Sequence, residues 1–161
     1  MAEKKAGEEL ITQLFNLNVP FTWAAGEYVS KFLIALRDEG KILCNTCPEC
    51  GRTLVPPRPI CGRCHVRMSE KFQELSDKGT VLIFNVFEQS FWDPSYGKQR
   101  EVPHTIALIQ LDGPPTIFTH FLEETDVNKL HMGMRVQAVW KPKEQRVGHM
   151  RDILYFRTIN E

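Results

Sequence analysis

The sequence predicts an α+β chain made of two amphipathic helices, a short cysteine-rich segment and a five-stranded β-barrel. Three observations carry this reading. Apolar residues recur at helical spacing through the first 40 positions. All five cysteines fall between Cys44 and Cys64. From about residue 71 onward, β-branched and aromatic runs alternate with turn residues. The implied organisation is helices over 1–40, the cysteine segment over 41–70 and the barrel over 71–161.

The helical block comes first. In "EELITQLFNLNV" (8–19), Leu10, Leu14 and Leu17 share a stripe with Ile11 and Phe15 before Pro20 stops the helix. In "AAGEYVSKFLIALRDE" (24–39), Tyr28, Phe32 and Ala35 form a second stripe flanked by Val29, Leu33 and Leu36, and Gly40 is placed to cap it. This helical hairpin has apolar faces that either pack on the rest of the chain or form a docking or dimerisation surface.

The cysteine segment is rich in Pro, Gly and Arg and too poor in apolar residues to hold itself together. Cys47/Cys50 and Cys61/Cys64 form two CxxC pairs with ten residues between them, enough for a short ribbon to bring the pairs face to face. A CxxC turn delivers two sulfurs to one ion, and four sulfurs complete the tetrahedral shell of a structural zinc, leaving no open position for catalysis. In "CPECG", Pro48 presets the turn and Gly51 accepts positive φ. In "CGRCH", His65 stands where a glycine would help. A thioredoxin-like site needs one CxxC opening a helix in a βαβ unit, and neither pair has that context. Cys44 is a neighbouring thiol or a competitor of Cys47 for the metal, and His65 is a solvated side chain or a substitute ligand. The first reading of each implies that Cys44→Ser leaves zinc content and ribbon stability unchanged.

The β block reads as "TVLIFNVFEQ" (80–89), "HTIALIQLD" (104–112), "PTIFTHFLE" (115–123), "RVQAVWK" (135–141) and "ILYFRTI" (153–159). Between the third and fourth runs, "ETDVNKLHMGM" allows a short helix at most, with Asp126 as N-cap and Gly133 as a turn. Five strands with a short helix before the fourth is the order of an OB-fold barrel.

Composition narrows the function. Hydrophobic residues make up 42% of the 161, enough for a sizeable core. Twenty basic and twenty acidic residues give a formal net charge of zero, which supplies no field for collecting polyanions. No run approaches the roughly 18 apolar residues of a membrane span, and "MAEKKAGEEL" lacks a secretory apolar run. A soluble cytoplasmic protein is expected, where clustered cysteines bind metal rather than form disulfides. No GxSxG and no GxxxxGK[ST] occurs, and His104, His120, His131 and His149 are scattered along the chain. The chain is expected not to be an enzyme.

The segment "CPECGRTLVPPRPICGRC", with Pro56, Pro57 and Arg58 between the pairs, resembles one family when joined to "GTVLIFNV", "PHTIALIQLDG" and "LHMGMRVQAVW". It is the acyl-CoA-associated zinc-ribbon/OB-fold family known as domain of unknown function thirty-five, and the resemblance runs from about residue 23 to 159. It implies an N-terminal helical element, a rubredoxin-like zinc ribbon bound through Cys47, Cys50, Cys61 and Cys64, and an OB-fold barrel. It further implies a non-catalytic scaffold that accompanies thiolase-like enzymes. Archaeal members bridge acetoacetyl-CoA thiolase and hydroxymethylglutaryl-CoA synthase at the start of the mevalonate pathway, helping to form a shared CoA-binding site.

The chain has residues suited to that role. The loop "SFWDPSYGKQREVP" (90–103) carries Phe91, Trp92, Tyr96, Lys98 and Arg100. Its aromatics either stack an adenine or cap the barrel, and its cations either meet CoA phosphates or stay solvated. Arg52, Arg58 and Arg63 form a second basic group, and Arg suits phosphate well. The competing class is a single-stranded nucleic-acid-binding ribbon plus OB-fold. It would require a basic surplus and strand-borne aromatics beside Lys or Arg, whereas the charge is balanced and the strands are mostly aliphatic. No nucleic acid and no membrane partner is expected.

Overall fold

The structure, a computed structural model, describes residues 22, 24–93 and 97–160. The first expected helix (8–19) and Tyr96 lie outside the described residues. The second forms as α1 (Gly26–Asp38), with Tyr28, Phe32, Ala35 and Leu36 buried along one stripe. Gly40 takes φ +68° just beyond it, a conformation that costs a residue with a Cβ.

Among the described residues ten strands follow: β1 (Ile42–Thr46), β2 (Thr53–Leu54), β3 (Gln73–Leu75), β4 (Lys78–Phe87), β5 (Trp92–Asp93), β6 (Lys98–Gln99), β7 (His104–Leu111), β8 (Ile117–Leu122), β9 (Arg135–Trp140) and β10 (Ile153–Thr158). The strands β10, β8, β7, β4 and β9 close into a barrel in that order. Its pairs are antiparallel except β8 with β10. This is the expected five-stranded OB barrel, and each strand lies within two residues of its sequence-based span.

Closure depends on β4, the long strand that pairs with β7 along its length and with β9 at its start. Gly79 sits at that shared corner, opposite both Leu111 and Val136. A Cβ there would lie 2.5 Å from the Gln110 carbonyl oxygen, so only glycine permits the approach. Beside this corner, Arg135 grips Asp112 with two hydrogen bonds of 2.8 and 2.7 Å, tying β9 to the end of β7.

Two expectations change. The connection between β8 and β9 is a turn rather than a short helix. Asp126 Oδ1 does accept the Asn128 N–H at 3.0 Å, as an N-cap would, and the Asp126 carbonyl accepts the Lys129 N–H at 3.0 Å. Val127 and Asn128 are weak helix formers, and the segment is too short to sustain a helix without tertiary support. The loop over 90–103 folds as a small hairpin, β5 against β6, with Trp92 opposite Gln99 and Asp93 opposite Lys98.

One hydrophobic core joins the blocks. Phe32 and Leu36 of α1, Ile42 and Cys44 of β1, and Leu75 of β3 pack with Val81, Ile109, Phe118, Val136 and Phe156 of the barrel. The sheet β2-β1-β3 also crosses position 70/71, because β3 pairs with β1. Cys44, fully buried, therefore belongs to this core, and burial pushes its thiol pKa up. Cys44→Ser would leave the four-cysteine set intact but place a hydroxyl among apolar side chains, a cost that falls on this core.

Candidate functional site

The two CxxC turns repeat one geometry. The Cys47 N–H donates to the Arg52 carbonyl at 2.9 Å, and the Gly51 N–H donates back to the Cys47 carbonyl at 3.0 Å. In the second turn the Cys61 N–H donates to Val66 at 2.9 Å, and the His65 N–H donates to Cys61 at 2.9 Å. Each loop folds over its own cysteines, which leaves backbone N–H groups facing the sulfurs.

The Sγ atoms of Cys47, Cys50, Cys61 and Cys64 all lie within 4.8 Å of one another, with Cys50 and Cys61 at 3.9 Å. A zinc tetrahedron with Zn–S of about 2.3 Å has edges of about 3.8 Å, so the donor set fits zinc in number, type and spacing. Electrostatics point the same way. The N–H groups of Cys64 and Arg63 draw the Cys61 thiol down to about 6. Cys64, sharing its proton with the Cys50 sulfur, is pushed up to about 12. Backbone donors thus favour thiolate here, while the sulfurs are too close for all four to ionise without a cation among them. Among the described residues, the local cluster adds Met68, Leu54 and Val66 to the cysteines. Cys44 is not one of the four, and His65 is not grouped with them.

Asn45, which sequence reasoning passed over, orders the loop between the turns. Fully buried, its side-chain amide donates to the Arg58 and Ser69 carbonyls at 2.8 and 3.2 Å, and its Oδ1 accepts the Arg58 N–H at 3.2 Å. The signal available was a polar residue inside the apolar strand "ILCNT". The Arg58 side chain itself is exposed.

The second locus lies beside the β5–β6 hairpin. The buried Asp93 and the half-buried Arg100 form an ion pair, with Arg100 Nε 3.0 Å from Asp93 Oδ2. The guanidinium also covers the Phe121 ring at 4.3 Å. Its charge is met inside the protein, whereas Lys98 is exposed at the rim. Phe91 and Trp92 differ in their surroundings. Phe91 packs edge-on against His104 with ring centres 5.6 Å apart, and Trp92 stands 58% exposed.

Two cavities meet at the Asp93–Arg100 pair. One, of about 290 Å³, is lined by Asp93, Lys98, Gln99, Arg100, Glu101, Pro103 and His104. The other, of about 320 Å³, is bordered by His120, Phe121, His149 and Arg151 as well as by the pair. The fold therefore gathers histidines that are distant in sequence: His104 and His120 both pack edge-on to Phe121, at 6.0 and 5.9 Å. Both occupy buried positions of the barrel strands, and for His120 the signal was its place between Phe118 and Leu122 in the strand alternation. The Nδ1 of His104 is 3.1 Å from the Glu101 carbonyl, and the Nε2 of His120 is 3.2 Å from the Met150 carbonyl. Each ring is thus tied to backbone rather than to a nucleophile. Arg58 borders neither cavity.

Comparison with known proteins adds the family context. Residues 35–69 match the model of the ChsH2 rubredoxin-like zinc ribbon domain, and residues 72–141 match that of the ChsH2 C-terminal OB-fold domain. A DUF35 domain-containing scaffold protein of Pyrococcus furiosus is 31% identical over 111 residues, covering 69% of this chain and 76% of that protein. Another from Methanocaldococcus jannaschii is 31% identical over 97 residues, 59% of this chain and 64% of that protein. Among solved structures, the Ltp2-ChsH2(DUF35) aldolase superposes with a TM-score of 0.59 at 21% identity, over 85% of this chain and 98% of that one. A DUF35 family protein of unknown function from Sulfolobus solfataricus gives 0.51 at 21% identity, over 80% and 81%.

Proposed function

The chain belongs to the DUF35 family of zinc-ribbon and OB-fold scaffold proteins, and from that premise we propose that it is a non-catalytic subunit that docks a thiolase-like enzyme and completes a binding site for acyl-CoA. The observation that carries the reading is the rim of the hairpin cavity. Lys98, an exposed ammonium, lines that cavity together with the buried Asp93 and His104, and the exposed indole of Trp92 stands on the neighbouring strand opposite Gln99 of the lining. An adenine can stack on the indole and a phosphate can meet the ammonium. Arg58 and Tyr96 complete the candidate set from the sequence. Arg100, already paired with Asp93, acts in this reading by positioning the cavity lining rather than by binding phosphate.

A structural zinc at Cys47, Cys50, Cys61 and Cys64 holds the ribbon. Such a site requires thiolates, which suits a reducing cytoplasm. Among the described residues, no helix is long and apolar enough to cross a membrane.

The relatives support a scaffold role beside a partner enzyme. The similar proteins of Pyrococcus furiosus and Methanocaldococcus jannaschii are named scaffold proteins, and one solved relative is a ChsH2 in an aldolase. A scaffold next to a thiolase-like enzyme and hydroxymethylglutaryl-CoA synthase would hold both active sites near one CoA-binding groove. The acetoacetyl-CoA intermediate then meets its second enzyme at an effective concentration on the order of millimolar, and an unfavourable condensation is drawn forward. The test is coexpression with the host's thiolase-like enzyme and synthase, followed by size-exclusion chromatography and a coupled assay from acetyl-CoA. Co-elution and a faster coupled rate are expected. Separate elution with an unchanged rate refutes the proposal.

A further inference from the structure

We infer that the loop joining β9 to β10, together with the cavity it borders on β7 and β8, docks a peptide segment of a partner protein in which carboxylates flank an apolar side chain. The inference rests on the scaffold reading above for the source of that segment, and goes beyond it by assigning the surface and the chemistry of the contact.

Charge is the starting point. The chain as a whole is neutral, yet "KPKEQRVGHMR" (141–151) carries Lys141, Lys143, Arg146 and Arg151 against the one carboxylate of Glu144. Two further acids feel these cations, Asp152 that of Lys141 and Asp38 that of Lys143, and both are engaged elsewhere. Asp152 is buried and accepts the N–H groups of Val147, Gly148 and His149 at 3.1, 2.7 and 3.0 Å. Asp38 is gripped by Arg37 at 2.7 Å. The loop keeps a local positive surplus that an acidic partner would complement.

The cations are also held in position. Arg146 Nε donates to the Lys141 carbonyl at 2.9 Å, and its guanidinium lies 5.2 Å from the centre of the Trp140 ring. The N–H and the Nε of Arg151 donate to His149 Nδ1 at 3.1 and 3.2 Å. Guanidinium groups fixed in this way lose little freedom on pairing with a carboxylate.

The cavity supplies the apolar half. Ile106 and Phe121, cross-strand neighbours on β7 and β8, line it with Met150, beside His149 and Arg151 of the loop. At about 320 Å³ it is at the small end for ligand sites and suits one or two side chains rather than a nucleotide. Val147, two residues before His149, adds an apolar side chain that is 70% exposed. A nucleic acid would find a poor stacking platform here, because the Arg100 guanidinium already covers the Phe121 ring at 4.3 Å. Apolar and basic groups side by side select a peptide that carries both complements.

The test titrates the full zinc-loaded chain with the acetylated, amidated pentapeptide Glu-Glu-Leu-Glu-Glu and follows backbone amides by NMR. A dissociation constant on the order of a millimolar is expected, with shifts centred on residues 141–151. Glutamine in place of every glutamate, or alanine in place of the leucine, should weaken binding about fivefold. Salt raised from about 20 mM to about 200 mM should weaken the acidic peptide and spare the glutamine peptide. Lys141→Glu combined with Lys143→Glu should weaken it about tenfold. Lys143→Glu alone, at an exposed position, should weaken it about threefold and decides the matter if the double variant does not fold.

The inference is overturned if the acidic peptide does not bind, if the glutamine peptide binds equally, or if the shifts lie away from the loop. It is also overturned if tripolyphosphate or an oligothymidylate displaces the peptide and binds more tightly, which would make the face a polyanion site. Coexpression with the thiolase-like enzyme separates the two readings. Equal assembly by the parent and the double variant would end this inference and leave the scaffold reading standing. Failure of the parent to assemble would end the scaffold reading, while peptide binding to the loop would stand by itself.

Discussion

Gly51 and His65 occupy the same position in the two cysteine turns and adopt the same left-handed backbone, with φ of 67° and 58°. Each N–H closes its turn on a cysteine carbonyl, so the geometry is set by the ribbon and not by the residue type. Left-handed φ costs a residue with a Cβ about 1 kcal/mol. His65→Gly should therefore raise stability by about 1 kcal/mol, less the loss from glycine's greater freedom when unfolded. Gly51→Ala should lower it by a similar amount, although no atom lies within 4 Å of the added methyl. Chemical denaturation of the metal-loaded protein checks both, and an unaffected midpoint in either variant contradicts the argument.

The metal site makes a sharper prediction. Cys50→Ser or Cys61→Ser should reduce zinc from one equivalent per chain and loosen the ribbon, because each removes a thiolate from a closed set. Cys44→Ser should retain full zinc yet lose about 1–2 kcal/mol, since its hydroxyl would sit in the apolar core that joins α1 to the barrel. Elemental analysis together with denaturation separates the two effects. Undiminished zinc in the Cys50 or Cys61 variant would overturn the ligand set.

Much of this architecture was legible because its signals are local. CxxC spacing, strand alternation and the stripe through Tyr28 and Phe32 each depend on a few neighbouring residues. What escaped the sequence depends on distant partners. Asn45 matters because Arg58 and Ser69 come to it. His104 and His120 become neighbours only when β7 and β8 pair and Phe121 stands between their rings. Arg100 read as a cation available to a ligand, and only the hairpin reveals Asp93 against it. After β8, where a short helix at most was expected, the local capping signal at Asp126 closes only a turn, and Leu130 reaches the core from that turn.

Acid should destabilise the protein in two steps. Burial pushes the His120 imidazole below its usual value, so the unfolded chain takes up a proton first as pH falls below about 6.5. Stability declines from there until the folded-state pKa is passed. The second step belongs to Asp152. Burial opposes its charge, but hydrogen bonds from the N–H groups of His149, Val147 and Gly148 outweigh that and hold its pKa below the usual value. Its contribution is fully present above about pH 4 and is lost as pH falls through the depressed folded value. His120→Phe should reduce the first step, to which His149 also contributes, and Asp152→Asn should reduce the second, which it shares with Asp112 and Glu123, as read by denaturation midpoints between pH 8 and pH 3. Midpoints independent of pH across that range would contradict both assignments.

Barrel closure rests on Gly79. Its Cβ would meet the Gln110 carbonyl oxygen at 2.5 Å and the Ile109 Cγ2 at 2.8 Å, and the first is backbone in a paired strand. The carbonyl oxygen cannot withdraw without breaking the β4–β7 ladder, so Gly79→Ala should cost about 3 kcal/mol. Equilibrium denaturation provides the check. A loss below about 1 kcal/mol would mean that the corner relaxes and that glycine is not required there.

Trp92 offers the most direct functional test, because it is large, apolar and 58% exposed on a two-residue strand opposite Gln99 of the cavity rim. A side chain in that position contributes little to folding, so Trp92→Ala should leave thermal stability within about 0.5 kcal/mol of the parent. If the indole stacks an adenine, the variant should still assemble with the thiolase-like enzyme while CoA binding to the complex weakens about tenfold. Binding of pantetheine, which has no adenine, should be unchanged, since the indole is assigned only the stacking of the base. Calorimetric titration of the parent and variant complexes with CoA and with pantetheine gives all three comparisons. Dissociation of the complex would make Trp92 a protein contact instead. Equal CoA affinity in both complexes would remove it from the ligand site altogether.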